Sequence, residues 1–212
     1  ITRISSQQVT LRRSQSDLKK GQKTLRGRVA KRSVTLKKLD ASLVSDKKKL
    51  GSLQRERSEL EEILSAVEEA VSGMTLPANY LPFLSRKGKL SWPLKGRVAH
   101  SYGSRRSGEL RWEGWLISAT AGAAVNAVHN GRIVFSNYLR GFGLLAIVDH
   151  GDGYMTLYAH NQELLKDTGD WVQSNEIIAR AGDTGGLNKP ALYFEIRSQG
   201  NPADPKVWLE KR

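Results

Sequence analysis

Residues 131–159 read GRIVFSNYLRGFGLLAIVDHGDGYMTLYA. Apolar runs at 131–138, 144–149 and 155–159 are cut by Gly141-Phe142-Gly143 and Gly151-Asp152-Gly153. Short glycine-bearing turns between β-branched and aromatic runs are the signature of antiparallel hairpins. Further candidate strands lie at 96–100, 124–127, 177–181 and 192–197. Asn130-Gly131, Gly169 and Asp183-Thr184-Gly185-Gly186 supply more turns. The segment 91–212 therefore reads as a mainly antiparallel β domain, long enough to hold one core. Val125, Val128, Ile133, Val134, Leu145, Ile147, Val148, Leu157, Ile177 and Ile178 are its expected core.

Upstream the period changes. One leucine series runs Leu11, Leu18, Leu25, Arg32, Leu39, Asp46, Leu53, Leu60, Val67, and a second runs Val29, Leu36, Leu43, Leu50, Arg57, Leu64, Val71. The offsets of three and four are those of a coiled-coil seam. Residues 1–76 contain no proline, and at 1.5 Å per residue the frame makes a rod on the order of 90 Å long. A helix of this length cannot bury its stripe alone, so the pattern requires another helix against it. Arg32, Asp46 and Arg57 interrupt the seam, and Gly21 and Gly27 each cost about 1 kcal/mol relative to Ala. The pattern ends at Ser72-Gly73, and Pro77 and Pro82 disfavour helix before them. The expected organisation is α+β: a coiled-coil helix over 1–72, a partly apolar connector over 73–90, and the β domain over 91–212. A long helix on a short apolar connector has the means to fold back over the domain.

Composition narrows the class. The formal charge is +13, which favours polyanionic partners such as acidic wall polymers, anionic lipid or an acidic protein. No nucleic-acid partner is expected, because the chain has neither an aromatic RNP-type strand nor zinc-finger spacing. Residues 1–49 carry 15 Lys or Arg against 3 acids, and residues 50–71 carry 2 against 6, so any acidic partner of the rod would meet its first half. There is no cysteine and hence no disulfide. The chain opens without Met inside a polar segment, as a fragment or trimmed mature protein would, and no stretch is apolar enough to span a membrane.

The chemistry-bearing stretches are RWEGWLISATAGAAV at 111–125 and PALYFEIR at 190–197. They resemble the active-site segments of the LytM, or M23, family of zinc endopeptidases. Trp92-Pro93-Leu94, Tyr158-Ala159-His160, Gly182-Asp183-Thr184-Gly185 and Asn201-Pro202 extend the resemblance over 92–208. The family pattern His-x-Gly-x-Asp, six residues before a second Gly, aligns on Gly114 and Gly122 and puts Trp112 and Leu116 at ligand positions. The pattern His-Leu-His-Phe-Glu becomes Ala191-Leu192-Tyr193-Phe194-Glu195. A catalytic zinc needs about three ligands from His, Asp, Glu or Cys. Indole, isobutyl and methyl groups offer no lone pair, and a phenol, with a reference pKa of about 10, is a poor ligand. Of the family's functional positions His160 is retained; it reads either as a binding residue of the cleft or as a hydrogen-bonded structural one. His100, His129 and His150 are scattered, and His150 reads as a turn or surface residue. No metal and no catalytic residue is expected.

A coiled coil followed by a metal-free domain of this family is similar to the division-associated murein hydrolase activators of Gram-negative bacteria. The resemblance implies a periplasmic, septal protein that is not itself an enzyme. Its partners would be a zinc-dependent N-acetylmuramoyl-L-alanine amidase of the AmiA or AmiB type and, through the coiled coil, the periplasmic loop of FtsX in FtsEX. Peptidoglycan is a further candidate partner. An apolar cleft rimmed by polar groups suits an amphipathic helix, anchored by aromatic and Arg side chains. The candidate cleft residues are Leu116, Phe142, Leu145, Tyr158, Tyr193 and Arg197, with Glu113 at the rim. Arg197 would meet a partner carboxylate. Glu113 departs from the basic residue that related activators often carry there. The alternatives are a peptidoglycan-binding scaffold and an active zinc endopeptidase.

Overall fold

The computed structural model describes residues 2–71 and 81–211, with side chains from residue 12 onward. Leu11 of the seam, the connector up to Tyr80 and its first proline fall outside the described side chains. One helix, α1 (Thr2–Val71), accounts for the heptad pattern. The chain divides into two units, Ile1–Gly51 and Ser52–Arg212.

In the first unit every described side chain from 12 to 49 is exposed, including Leu18, Leu25, Val29, Leu36, Leu39 and Leu43 of the seam. Thr24 and Thr35 turn their hydroxyls back onto the carbonyls four residues earlier, a local bond that spares them a search for outside partners.

The second unit takes the last five turns of α1 together with the β domain. Among the described residues twelve strands follow: β1 (Val98–His100), β2 (Arg105–Ser107), β3 (Leu110–Arg111), β4 (Trp115–Ser118), β5 (Ala124–Asn126), β6 (Gly131–Leu139), β7 (Gly143–Asp149), β8 (Tyr154–Leu164), β9 (Trp171–Val172), β10 (Ile177–Ala181), β11 (Ala191–Ser198) and β12 (Asn201–Ala203). The main sheet runs β1-β4-β11-β8-β7-β6-β9, with β10 joining β5 to β8 and β12 beside β11; β2 and β3 form a separate hairpin. All strand pairings are antiparallel. The hairpins expected around 141–143 and 151–153 join β6 to β7 and β7 to β8.

Two cores follow from the two-residue period of strands. On one face Ile117, Val125, Ala146, Val148, Tyr158, Leu192, Phe194 and Ile196 pack with Phe83, Leu90 and Trp208. On the other, Leu116, Leu145, Ile147, Met155, Leu157, Ala159 and Tyr193 pack against Leu60, Leu64 and Val67 of α1. The expected core is buried except at two residues. Val134 is half-buried, and Ile177 is 43% exposed. On β10 it is the neighbour, Ile178, that points inward. His150 is corrected as well. It is buried, bonded to the Asn130 carbonyl and Thr156 Oγ1 at 2.7 Å each, and stacked on Phe83. Burial holds its pKa down at about 3. Phe83, in a 3-10 turn over Phe83–Arg86, fixes the end of the connector among His129, His150, Tyr154 and Trp208.

Candidate functional site: an apolar groove filled by a helix

The groove lies on the second face, over β4, β11, β8 and β7. The register sets its floor. Leu116 is opposite Tyr193, Tyr193 opposite Ala159, Glu195 opposite Leu157 and Arg197 opposite Met155. Gly114 explains why the turn into β4 can lie so close: a Cβ there would stand 2.4 Å from the Phe194 carbonyl oxygen. Trp112 forms one wall, with His100 stacked on it at 5.1 Å and the Arg106 guanidinium 4.4 Å from its ring centre. Phe142 meets Tyr193 edge-on at 5.7 Å.

Leu60 and Leu64 are 1% and 2% exposed in this groove, and Val67 is also buried. Burying one such side chain is worth on the order of 2 kcal/mol before ordering costs. Two ion pairs flank the apolar row. Arg57 meets Glu113 at 2.5 Å, and Glu61 meets Arg197 at 2.9 Å. Burial raises the Glu113 carboxyl above its usual range despite Arg57. Desolvation thus outweighs the pair at that rim, so the pair contributes little net stability.

Arg197 is 3% exposed and anchored, donating from Nε and Nη2 to the Gly200 carbonyl at 3.1 and 2.7 Å. Beneath it lies Glu195, wholly buried. Tyr193 donates its hydroxyl to Glu195 Oε2 at 2.6 Å. Glu195 Oε1 is 3.3 Å from Arg197 Nη1, but misaligned, and neither atom makes a hydrogen bond. Desolvation lifts the Glu195 pKa to about 7 against the pull of Arg197. Desolvation and then the Glu195 charge push the Tyr193 phenol well above its ordinary value.

A zinc ion does not fit these residues. Trp112, Leu116 and Ala191 present no donor atom, and the Tyr193 phenol stays protonated and committed to Glu195. His160 sits at the site's end with its Nδ1 held by the Thr184 carbonyl at 2.8 Å, and burial keeps its pKa at about 4. Among the described residues no three His, Cys, Asp or Glu converge to hold a metal.

The structure brings together Glu113, Leu116, Phe142, Leu145, Tyr193 and Arg197, with Leu145 in the floor. Tyr158 does not join them. It faces the opposite core, where its hydroxyl accepts from the Val128 amide and from Thr156 Oγ1, both at 3.0 Å. Its neighbours in sequence, Leu157 and Ala159, carry the groove floor. The sequence reading also omits His100, Arg106, Leu139 and Met155. Met155 was accessible from the period of two along β8, whereas His100 and Arg106 reach Trp112 only through the chain's tertiary path.

An antiparallel sheet with this motif frame, carrying apolar groups where metal ligands would stand, defines a degenerate metallopeptidase domain. Residues 111–205 match Peptidase family M23. Over 123 residues, 58% of the chain, it is 43% identical to the murein hydrolase activator EnvC of Escherichia coli K12, spanning 29% of that protein. It is 36% identical over 122 residues, 57% of the chain, to the murein hydrolase activator NlpD of the same organism, spanning 31% of it. It is 35% identical over 134 residues, 60% of the chain, to the cell division protein DipM of Caulobacter vibrioides, spanning 22% of it. The chain thus spans less than a third of each of these relatives. Among solved structures, a putative M23 peptidase from Pseudomonas aeruginosa aligns over 75% of this chain and 61% of its own, with TM-score 0.54 at 20% identity. That likeness supports the fold alone.

Proposed function

We propose that the chain is a non-catalytic activator of cell-wall amidases that takes an amidase helix into the groove in exchange for its own. The observation that carries this reading is the seating of Leu60, Leu64 and Val67 over Leu116, Leu145 and Tyr193. A surface that binds one amphipathic helix in cis is chemically suited to another in trans. The names of EnvC and NlpD support the role of murein hydrolase activator. In this reading the target is a periplasmic N-acetylmuramoyl-L-alanine amidase and the setting is septal wall splitting. The exposed seam between Leu18 and Leu43 recruits the chain to FtsEX.

The test is release of dye from labelled sacculi by a purified amidase, with and without the chain. The chain alone releases nothing and cleaves no wall peptide with zinc added; together with the amidase it raises the rate. Tyr193→Ala and Arg197→Ala, checked for folding by circular dichroism, lose more than about tenfold of that stimulation, because anchor residues of an interface each carry about 2 kcal/mol or more. Peptide cleavage by the zinc-supplied chain, or full stimulation by both variants, overturns the reading.

A further inference from the structure

The two ion pairs of the groove are not equivalent. Glu113 lies in the turn into β4 and takes a base, Arg57. Arg197 lies on β11 and takes an acid, Glu61. Both receptors are held by the domain, Arg197 through the Gly200 carbonyl and Glu113 by the close passage of Gly114 against β11. The helix in the groove therefore meets a negative site and then a positive one. Along α1 the matching residues run Arg57, Leu60, Glu61, Leu64, Val67. A helix lying in the opposite direction, or one with its charges exchanged, places like charges together at both sites.

We propose, resting on the activator reading, that the groove selects its amidase helix by direction and charge order. The partner helix carries Lys or Arg facing Glu113, an acidic residue four positions later facing Arg197, and apolar residues three, seven and ten positions after the base. Like charges across an interface reject a wrong partner while complementary ones set register and approach. Other charges nearby do not change the order. Arg106 stands close enough to pull the Glu113 carboxyl down, yet it caps the Trp112 ring, and Arg57 exerts the larger pull.

The experiment uses the full chain and an amidase that the wild-type chain stimulates. In the double variant Glu113→Lys with Arg57→Glu the cis pair is reversed but kept, so the chain's own helix remains docked. The concentration for half-maximal stimulation rises by about tenfold or more, since the base of the partner helix now meets Lys at position 113 and like charges across an interface repel. Reversing the matching base of the amidase helix to Glu restores it. Direct binding provides the second reading. A labelled peptide of residues 52–71 binds the full chain carrying Leu64→Ala more tightly than the same peptide with Arg57→Glu and Glu61→Arg. Equal stimulation by the reversed chain, or equal binding of the two peptides, overturns the charge-order proposal and leaves the activator reading standing. Failure of the wild-type chain to stimulate any such amidase overturns the activator reading itself.

Discussion

Glu195 sits in the groove floor where burial opposes its charge more strongly than Arg197 supports it. Its pKa rises from 4.5 to about 7. Below pH 4.5 both the folded and unfolded chain hold the proton and the group is neutral to stability. As pH rises toward 7 the unfolded chain releases its proton first, so folding loses stability across this window and levels off above it. A shift of that size corresponds to roughly 3 kcal/mol. Glu195→Gln should therefore flatten the fall in unfolding temperature between pH 4.5 and 7, as followed by scanning calorimetry. An unchanged slope would mean that Glu195 is ionised in the fold. The sequence made much of this site legible. Trp112, Leu116, Ala191 and Tyr193 could be placed because Gly114 and Phe194-Glu195 preserve the frame around them. It did not reveal Glu195 as a floor residue, and it misassigned Tyr158. The parity of β8 decides the latter, since 155, 157 and 159 face the groove and 158 must face the other core.

At the scale of elements, the last turns of α1 hold the main lesson. Leu60, Leu64 and Val67 continue the heptad frame that begins at Leu11. A coiled-coil seam and a helix docked on a sheet both ask for apolar residues three and four apart, so the period alone cannot say which surface covers them. The structure gives these three to the sheet, with Ile63 and Val71 beside them. The strands were legible where glycine turns bounded them. Strand β4 was not, because Trp115-Leu116-Ile117 is a short unbroken apolar run with no alternation to read, buried on both faces. The docked turns make their own prediction. Replacing Leu60 and Leu64 together by Asp puts two charges into an apolar groove, and burying either costs several kcal/mol. The helix should leave the groove. Amide protection of residues 57–68 should fall by about a hundredfold or more in hydrogen exchange, while β7, β8 and β11 keep theirs. Undiminished protection of 57–68 would show that the sheet is not what holds these turns.

For the molecule as a whole, the proposed activator role gives the groove one floor and two claimants. The chain's own helix is present at high effective concentration because it is part of the same chain. In the proposed activator role an amidase helix binds with its intrinsic dissociation constant divided by the fraction of chains whose groove is open, and so more weakly than its intrinsic affinity. Any energy removed from the closed state alone is passed on to the partner until the open form predominates. Leu64 suits the measurement. It is 2% exposed when docked and, in the proposed exchange, takes no part in the complex once a partner helix has replaced it. Truncation to Ala removes roughly 2 kcal/mol of burial, which is about thirtyfold in an equilibrium constant. The apparent affinity of the full Leu64→Ala chain for the amidase should tighten by about tenfold to thirtyfold, measured by titration against a labelled amidase. The maximal rate of dye release at saturation should stay the same, because the assembled complex is the same. Unchanged affinity would mean that the partner binds without displacing α1, and weakened affinity would mean that Leu64 itself contacts the partner.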